Sequence, residues 1–255
     1  MSHRSFWRFV CLPAALLTLF ATVCAAQEKH DHHWGYEGKE GPEHWGDLEK
    51  DYASCKLGQL QAPIDIRNAK KSELPAIQFD YHAGPLRIVN NGHSVQVNYA
   101  PGSIITVGEK RYELKQFHFH RPSEESINGR HSEMVIHLVH ADADGNYGVV
   151  AVLLETGAAN AAIETLWSHA PKQAGPEQKL DNVQIQPSGL LPSAHGYYTF
   201  AGSLTTPPCT ENVTWFVLKA PVTISKEQAA AFARLYEHNA RPLQPLNGRV
   251  VRESN

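Results

Sequence analysis

Gln116-Phe117-His118-Phe119-His120 is the stretch whose residue types and spacing could do chemistry. In an extended chain successive side chains take opposite faces. Gln116, His118 and His120 then point one way, while Phe117 and Phe119 point into a core. Two residues of rise separate the histidine Cα atoms by roughly 6.6 Å. Imidazoles at that spacing can converge on one ion, with zinc–nitrogen bonds of about 2.0–2.1 Å. A lone His-x-His is more often two strand histidines on a wet sheet face, so a third ligand has to be found. His137-Leu138-Val139-His140 offers two histidines three apart, which must face opposite sides of a strand. Only one can join, and alternation alone does not choose. His131, just after Asn128-Gly129, reads as a loop residue.

The elements that must position these groups are mostly strands. Short apolar runs recur at Ile77–Tyr81, Leu86–Val89, Val95–Tyr99, Ile104–Val107, Arg111–His120, Val135–Ala141, Val149–Leu154, Tyr197–Ala201 and Val213–Leu218, separated by Gly, Pro and Asn. Asn91-Gly92 between two of them is a hairpin signal. Helical signals are few: Ser225 with Gln228 forms a capping box before Ala229–Tyr236, and Ala159–His169 has helical character. The expected fold is mainly β (α+β): a single domain over 27–255 on a large sheet with short peripheral helices.

Residues 1–26 read as a secretory signal peptide, with Arg4 and Arg8 ahead of apolar Phe9–Val23 and small residues at Cys24-Ala25-Ala26. No other stretch is long and apolar enough to cross a bilayer, so the reading is an exported protein, periplasmic or secreted, without a membrane anchor after processing. Without Arg4 and Arg8 the 23 basic residues fall to 21 against 26 acidic ones, a formal charge of −5. No basic block stands out, which argues against nucleic acid as a partner. Cys55 and Cys209 survive processing, and in an oxidising compartment a lone pair is most simply a disulfide. Thiolate ligation of a metal is the alternative, but neither cysteine has a cysteine or histidine at finger-like spacing.

Several separated motifs then resemble the α-class carbonic anhydrases, in particular the exported bacterial members. They are Gln116 to His120, Ser123-Glu124, His137-Leu138-Val139-His140, Asn90-Asn91-Gly92-His93, and Ser203-Leu204-Thr205-Thr206-Pro207-Pro208 with Trp215 following. The likeness runs in order from His33-Trp34-Gly35-Tyr36 to Arg241-Pro242-Leu243-Gln244-Pro245-Leu246. It implies a mostly antiparallel twisted sheet with one zinc ion per chain in a conical cavity. His118, His120 and His137 are the implied ligands, leaving one tetrahedral position for water. Such water ionises near pH 7, a figure whose standard example is carbonic anhydrase itself. The resulting hydroxide would hydrate carbon dioxide to bicarbonate. Thr205, tied to Glu124, would orient the hydroxide, because a carboxylate can only accept. Val139, Val149, Leu204 and Trp215 match the apolar substrate wall, and Thr206 a bicarbonate contact. His93 matches the proton shuttle, while Tyr36, Asn91 and Gln96 match polar positions along the proton path. Cys55 and Cys209 match a cysteine pair that would staple the Thr205 loop to the start of the domain.

One departure stands out around His137. The family usually carries a carboxylate two residues before this ligand, where this chain has Val135. Glu133 is too far along the strand, so His137 is expected to lean on water or on an acceptor not identified from sequence. Gln116 can orient His118. Of the neighbours Glu124 and Glu125, motif position selects Glu124 and leaves Glu125 as a solvated loop charge. Two other readings are open: a non-catalytic binding protein on the same scaffold, or a periplasmic zinc store built on His30, His32 and His33. The first predicts no zinc-dependent hydration, the second more than one tightly held zinc per chain. Small-molecule partners, and a monomer or homodimer, complete the expectation.

Overall fold

A computed structural model describes Met1 and residues 33–255; the rest of the stretch read as a signal peptide, and His30 and His32, fall outside the described residues. The alternating apolar runs become strands of a 13-stranded sheet. Across its centre lie, in order, Gly84–Asn90, Val95–Asn98, Lys110–His120, Met134–Ala141, Tyr147–Thr156, Glu211–Leu218 and Tyr197–Ser203. Pairing is mostly antiparallel. The exceptions are Tyr147–Thr156 against Glu211–Leu218 and Val222–Ile224, and Arg252–Glu253 against Lys70–Lys71. No described helix is long and apolar enough to cross a membrane.

Strand alternation sorts the core into two layers. Phe117, Phe119, Ile136 and Leu138 enter a large cluster closed by Ile163, Leu166, Ala229 and Phe232 of two helices, Ala161–His169 and Lys226–Ala233. The opposite face carries Val135, Val139, Val149 and Trp215, packed with Ile64 and Ile66. The capping box is present: Ser225 accepts from Gln228 N, and the Gln228 side chain reaches back to Ser225. The helix therefore starts at Lys226, three residues before the apolar run. Asn160 caps the other helix in the same way, accepting from Ile163 N.

The hairpin at Asn91-Gly92 joins Gly84–Asn90 to Val95–Asn98, and Gly92 takes φ +89°, a region open to glycine. Gly202 answers a different need, since a Cβ there would lie 2.6 Å from Trp215 Cδ1. Gln178–Ile185 forms an edge strand that the sequence pattern does not signal. Most of its residues are exposed, so it carries no apolar alternation. A second, three-stranded sheet joins Asp65–Ile66, Ser126–Ile127 and Arg130–His131. It holds down residues 121–133, the excursion between the two central strands.

Cys55 and Cys209 form the disulfide, across 154 residues, with both sulfurs buried beside Trp45. Cys209 closes the turn after Thr205, donating its N–H to Thr206 O at 2.8 Å. The bridge thus ties the Thr205 loop to the N-terminal helix Ser54–Leu57. Replacing both cysteines by serine is expected to lower the unfolding free energy by about 2–5 kcal/mol. A urea titration measures it, and an unchanged midpoint would contradict the assignment.

Candidate metal centre and active site

Register decides between His137 and His140. On the neighbouring antiparallel strands His137 lies directly opposite His118, so the two share a face. A bulge between Val139 and His140 then sets His140 opposite Leu114. His140 turns to the other side and is buried there, its Nε2 2.8 Å from the Tyr81 hydroxyl and its Nδ1 donating to Gly148 O at 3.1 Å. His131 is exposed, with Nδ1 2.6 Å from Ser123 O.

His118, His120 and His137 are the one group of three or more metal-ligating side chains among the described residues, with their donor atoms within 4.8 Å of one another. Each ring is held from outside by an acceptor. His118 Nδ1 lies 2.8 Å from Gln116 Oε1, and His120 Nδ1 lies 2.8 Å from Asn239 O. His137 is held the other way round, with Nε2 3.1 Å from Glu125 Oε1 and 3.3 Å from Oε2. Oxygen acceptors fix the proton on those outer nitrogens. The inner nitrogens, Nε2 of His118, Nε2 of His120 and Nδ1 of His137, are therefore lone pairs.

Both acidic neighbours are fully buried, which corrects the expectation that Glu125 is a solvated loop charge. Glu125 also answers what stands in for the acceptor that Val135 lacks. Glu124 Oε1 accepts from Arg241 N at 2.7 Å, and the Thr205 hydroxyl interacts with the same carboxyl. Its Oε2 lies 3.5 Å from His120 Nε2 and 3.7 Å from His137 Nδ1. Glu124 Oε2 and His120 Nε2 are buried without a hydrogen-bond partner among the described residues. Two acceptors cannot bond each other, and a cation between the three lone pairs is what would satisfy them. Three imidazoles beside carboxylates suit a borderline metal such as Zn2+.

Burial pushes His118 down to about 3, with His137 adding to the shift, and holds His120 well below its ordinary value. Both rings are neutral at pH 7, as ligation needs. Burial also acts to lower His137, but the Glu125 and Glu124 carboxylates together outweigh it and raise the ring. Burial lifts Glu124 to about 7, against the pull of His137, Thr205 and Arg241.

Above the histidines opens a cavity of about 250 Å3. It gathers Gln116, His118, His137, Val139, Val149, Leu204, Thr205, Thr206 and Trp215, all singled out from sequence. At roughly 30 Å3 per water, it has room for several waters beside a triatomic guest. Lys115 and Tyr147 also line it. They gave no sequence signal beyond standing one residue before Gln116 and two before Val149 on the same strands.

A family model described as eukaryotic-type carbonic anhydrase matches residues 40–255. The chain belongs to the α-carbonic anhydrase family. The carbonic anhydrase of Neisseria gonorrhoeae is 45% identical over 244 residues, covering 95% of this chain and 96% of that one. The Klebsiella pneumoniae carbonic anhydrase is 45% identical, over 87% of this chain and 91% of the other. A hyperthermostable carbonic anhydrase from an active hydrothermal vent chimney superposes with TM-score 0.85 at 46% identity, covering 88% of this chain and all of its own.

Of the remaining positions singled out from the family pattern, Asn91, His93 and Gln96 belong to the hairpin, while Tyr36 packs with Trp34 and Trp45. Asn91 Nδ2 donates to Gln96 Oε1 at 3.4 Å, and Gln96 Nε2 donates to Asn98 Oδ1. The Tyr36 hydroxyl is buried without a hydrogen-bond partner among the described residues. His93 stacks on Trp34 at 3.6 Å with an interplanar angle of 8°, and His33 lies 5.6 Å from it on centroids. Burial, with repulsion from His33, lowers His93 to about 4, so the stacked ring is neutral at pH 7. Trp34→Ala is expected to return His93 toward 6.5, read by NMR titration of its ring protons; an unmoved titration would show that the stack does not set it.

Proposed function

We propose that the protein hydrates carbon dioxide reversibly to bicarbonate and a proton, as a zinc-dependent lyase. The observation that carries this is the convergence of three lone pairs, each fixed by an outer hydrogen bond, beside a largely apolar cavity that His118 and His137 line. His118, His120 and His137 would hold one Zn2+ per chain. Zinc bound there supplies Lewis acidity that makes water nucleophilic at neutral pH.

The chain's own residues do the rest. Val139, Val149, Leu204 and Trp215 present an apolar wall to a substrate without net charge. In its ionised form Glu124 can only accept, and the Thr205 proton is then committed to it. The Thr205 oxygen is left as an acceptor, and an attacking water turns its own hydrogen there and its lone pair to the substrate. Thr206, at the same cavity, contacts the bicarbonate formed. His93 passes the released proton to buffer, across water ordered by Tyr36, Asn91 and Gln96. Because the stacked ring stays neutral at pH 7, proton transfer uses a position away from Trp34.

Residues 27–255 act as one catalytic domain, exported by the signal peptide at 1–26 to the periplasm or medium; the buried disulfide supports an oxidising destination. Carbon dioxide and bicarbonate are its partners, and the protein works as a monomer or homodimer.

Stopped-flow hydration on purified oxidised protein is expected to show activity that a strong chelator abolishes and one equivalent of zinc restores. Equal rates before and after metal removal would end this reading. His93→Ala is expected to slow turnover in dilute buffer, with added imidazole restoring part of it. Unchanged turnover in dilute buffer would remove His93 from the mechanism.

A further inference from the structure

Val135 shares a strand face with His137, is fully buried in the cluster that also holds Ile66 and Leu153, and its side chain offers no acceptor. The group that meets the outer nitrogen of His137 comes instead from the excursion 121–133. Glu125 has no exposure, and both of its oxygens lie within 3.3 Å of His137 Nε2. Among the described residues no other hydrogen bond reaches its carboxylate. A carboxylate so buried is costly unless it is paired, and here one ring nitrogen is the pairing.

The backbone around Glu125 is fastened on both sides. Ser123 Oγ donates to Glu125 O at 2.7 Å and accepts from Ser132 N at 2.8 Å. Ser126 pairs with Asp65 in the small sheet, and its hydroxyl donates to Asp65 Oδ1 at 2.7 Å. The two adjacent carboxylates consequently face opposite nitrogens of one imidazole: Glu124 lies 3.7 Å from Nδ1 without bonding it, and Glu125 lies 3.1 Å from Nε2.

We infer that Glu125 is the positioning residue for His137. It takes over from a neighbouring loop the work that position 135 of the ligand's own strand cannot do. Its carboxylate accepts from Nε2–H, which leaves Nδ1 as the lone pair aimed at the centre and turns the ring's plane. It also places a negative charge behind the ligand, which strengthens the ring's hold on a cation. The inference rests on reading the three histidines as zinc ligands.

The test compares wild type, Glu125→Gln and Glu125→Ala in two measurements: zinc affinity by chelator competition, and the His137 Nε2–H proton by NMR of the zinc-loaded protein. Glu125→Gln is close in shape, so it keeps the fold and an acceptor while removing the charge. Zinc affinity is expected to fall about tenfold in Glu125→Gln, and by roughly 10–100-fold in Glu125→Ala. The ring proton is expected to be far downfield and slow to exchange in wild type. It should move upfield in Glu125→Gln and be lost to exchange in Glu125→Ala. If wild type itself holds no zinc, the zinc reading falls. If wild type holds zinc and either measurement stays at the wild-type value in both variants, the assignment of Glu125 falls by itself.

Discussion

Three hydrogen bonds that never touch substrate govern this molecule. Each commits the outer nitrogen of a histidine to an oxygen, and each thereby leaves the inner nitrogen as a lone pair facing one point. The oxygens come from three sources: a side-chain amide on the same strand, a main-chain carbonyl near the C-terminus, and a carboxylate from an inter-strand excursion. Most of the irregular chain near the site can be understood as delivering one of them. Asn239 shows how tightly delivery is controlled, since its side chain also bonds His93 O, Phe119 O and Arg121 N.

The sheet divides labour between its faces. One side is closed by helices and filled with large apolar groups, and it can be fully buried because nothing there needs water. The other carries smaller branched residues, a tryptophan and the histidines, and remains open. Trp215 fits that layer because Gly202 leaves room for its ring and Ser203 O accepts its indole N–H at 3.0 Å.

Much of this was legible in the amino-acid order. Alternation located the central strands, and residue-type spacing found His118 and His120, because both signals depend on one segment at a time. The choice between His137 and His140 was not available in that way: it belongs to the register between two strands and to a bulge within it. Asn239 O could not be read at all, since a main-chain carbonyl has no residue signature. Glu125 was visible but misjudged. Two adjacent acids suggest solvent, and only the fold reveals that both are enclosed. The polar edge strand Gln178–Ile185 lacked a pattern because water covers most of it.

Phe117, His118, Phe119 and His120 occupy consecutive positions of one strand and divide between the two layers. A slip of a single residue in pairing would exchange their destinations, driving imidazoles into the apolar core and benzyl rings to the cavity side. No partly correct alignment can keep the interior while spoiling only the chemistry. Selection for a sound interior is therefore also selection for ligand placement, so quality control that discards misaligned chains discards inert ones along with them.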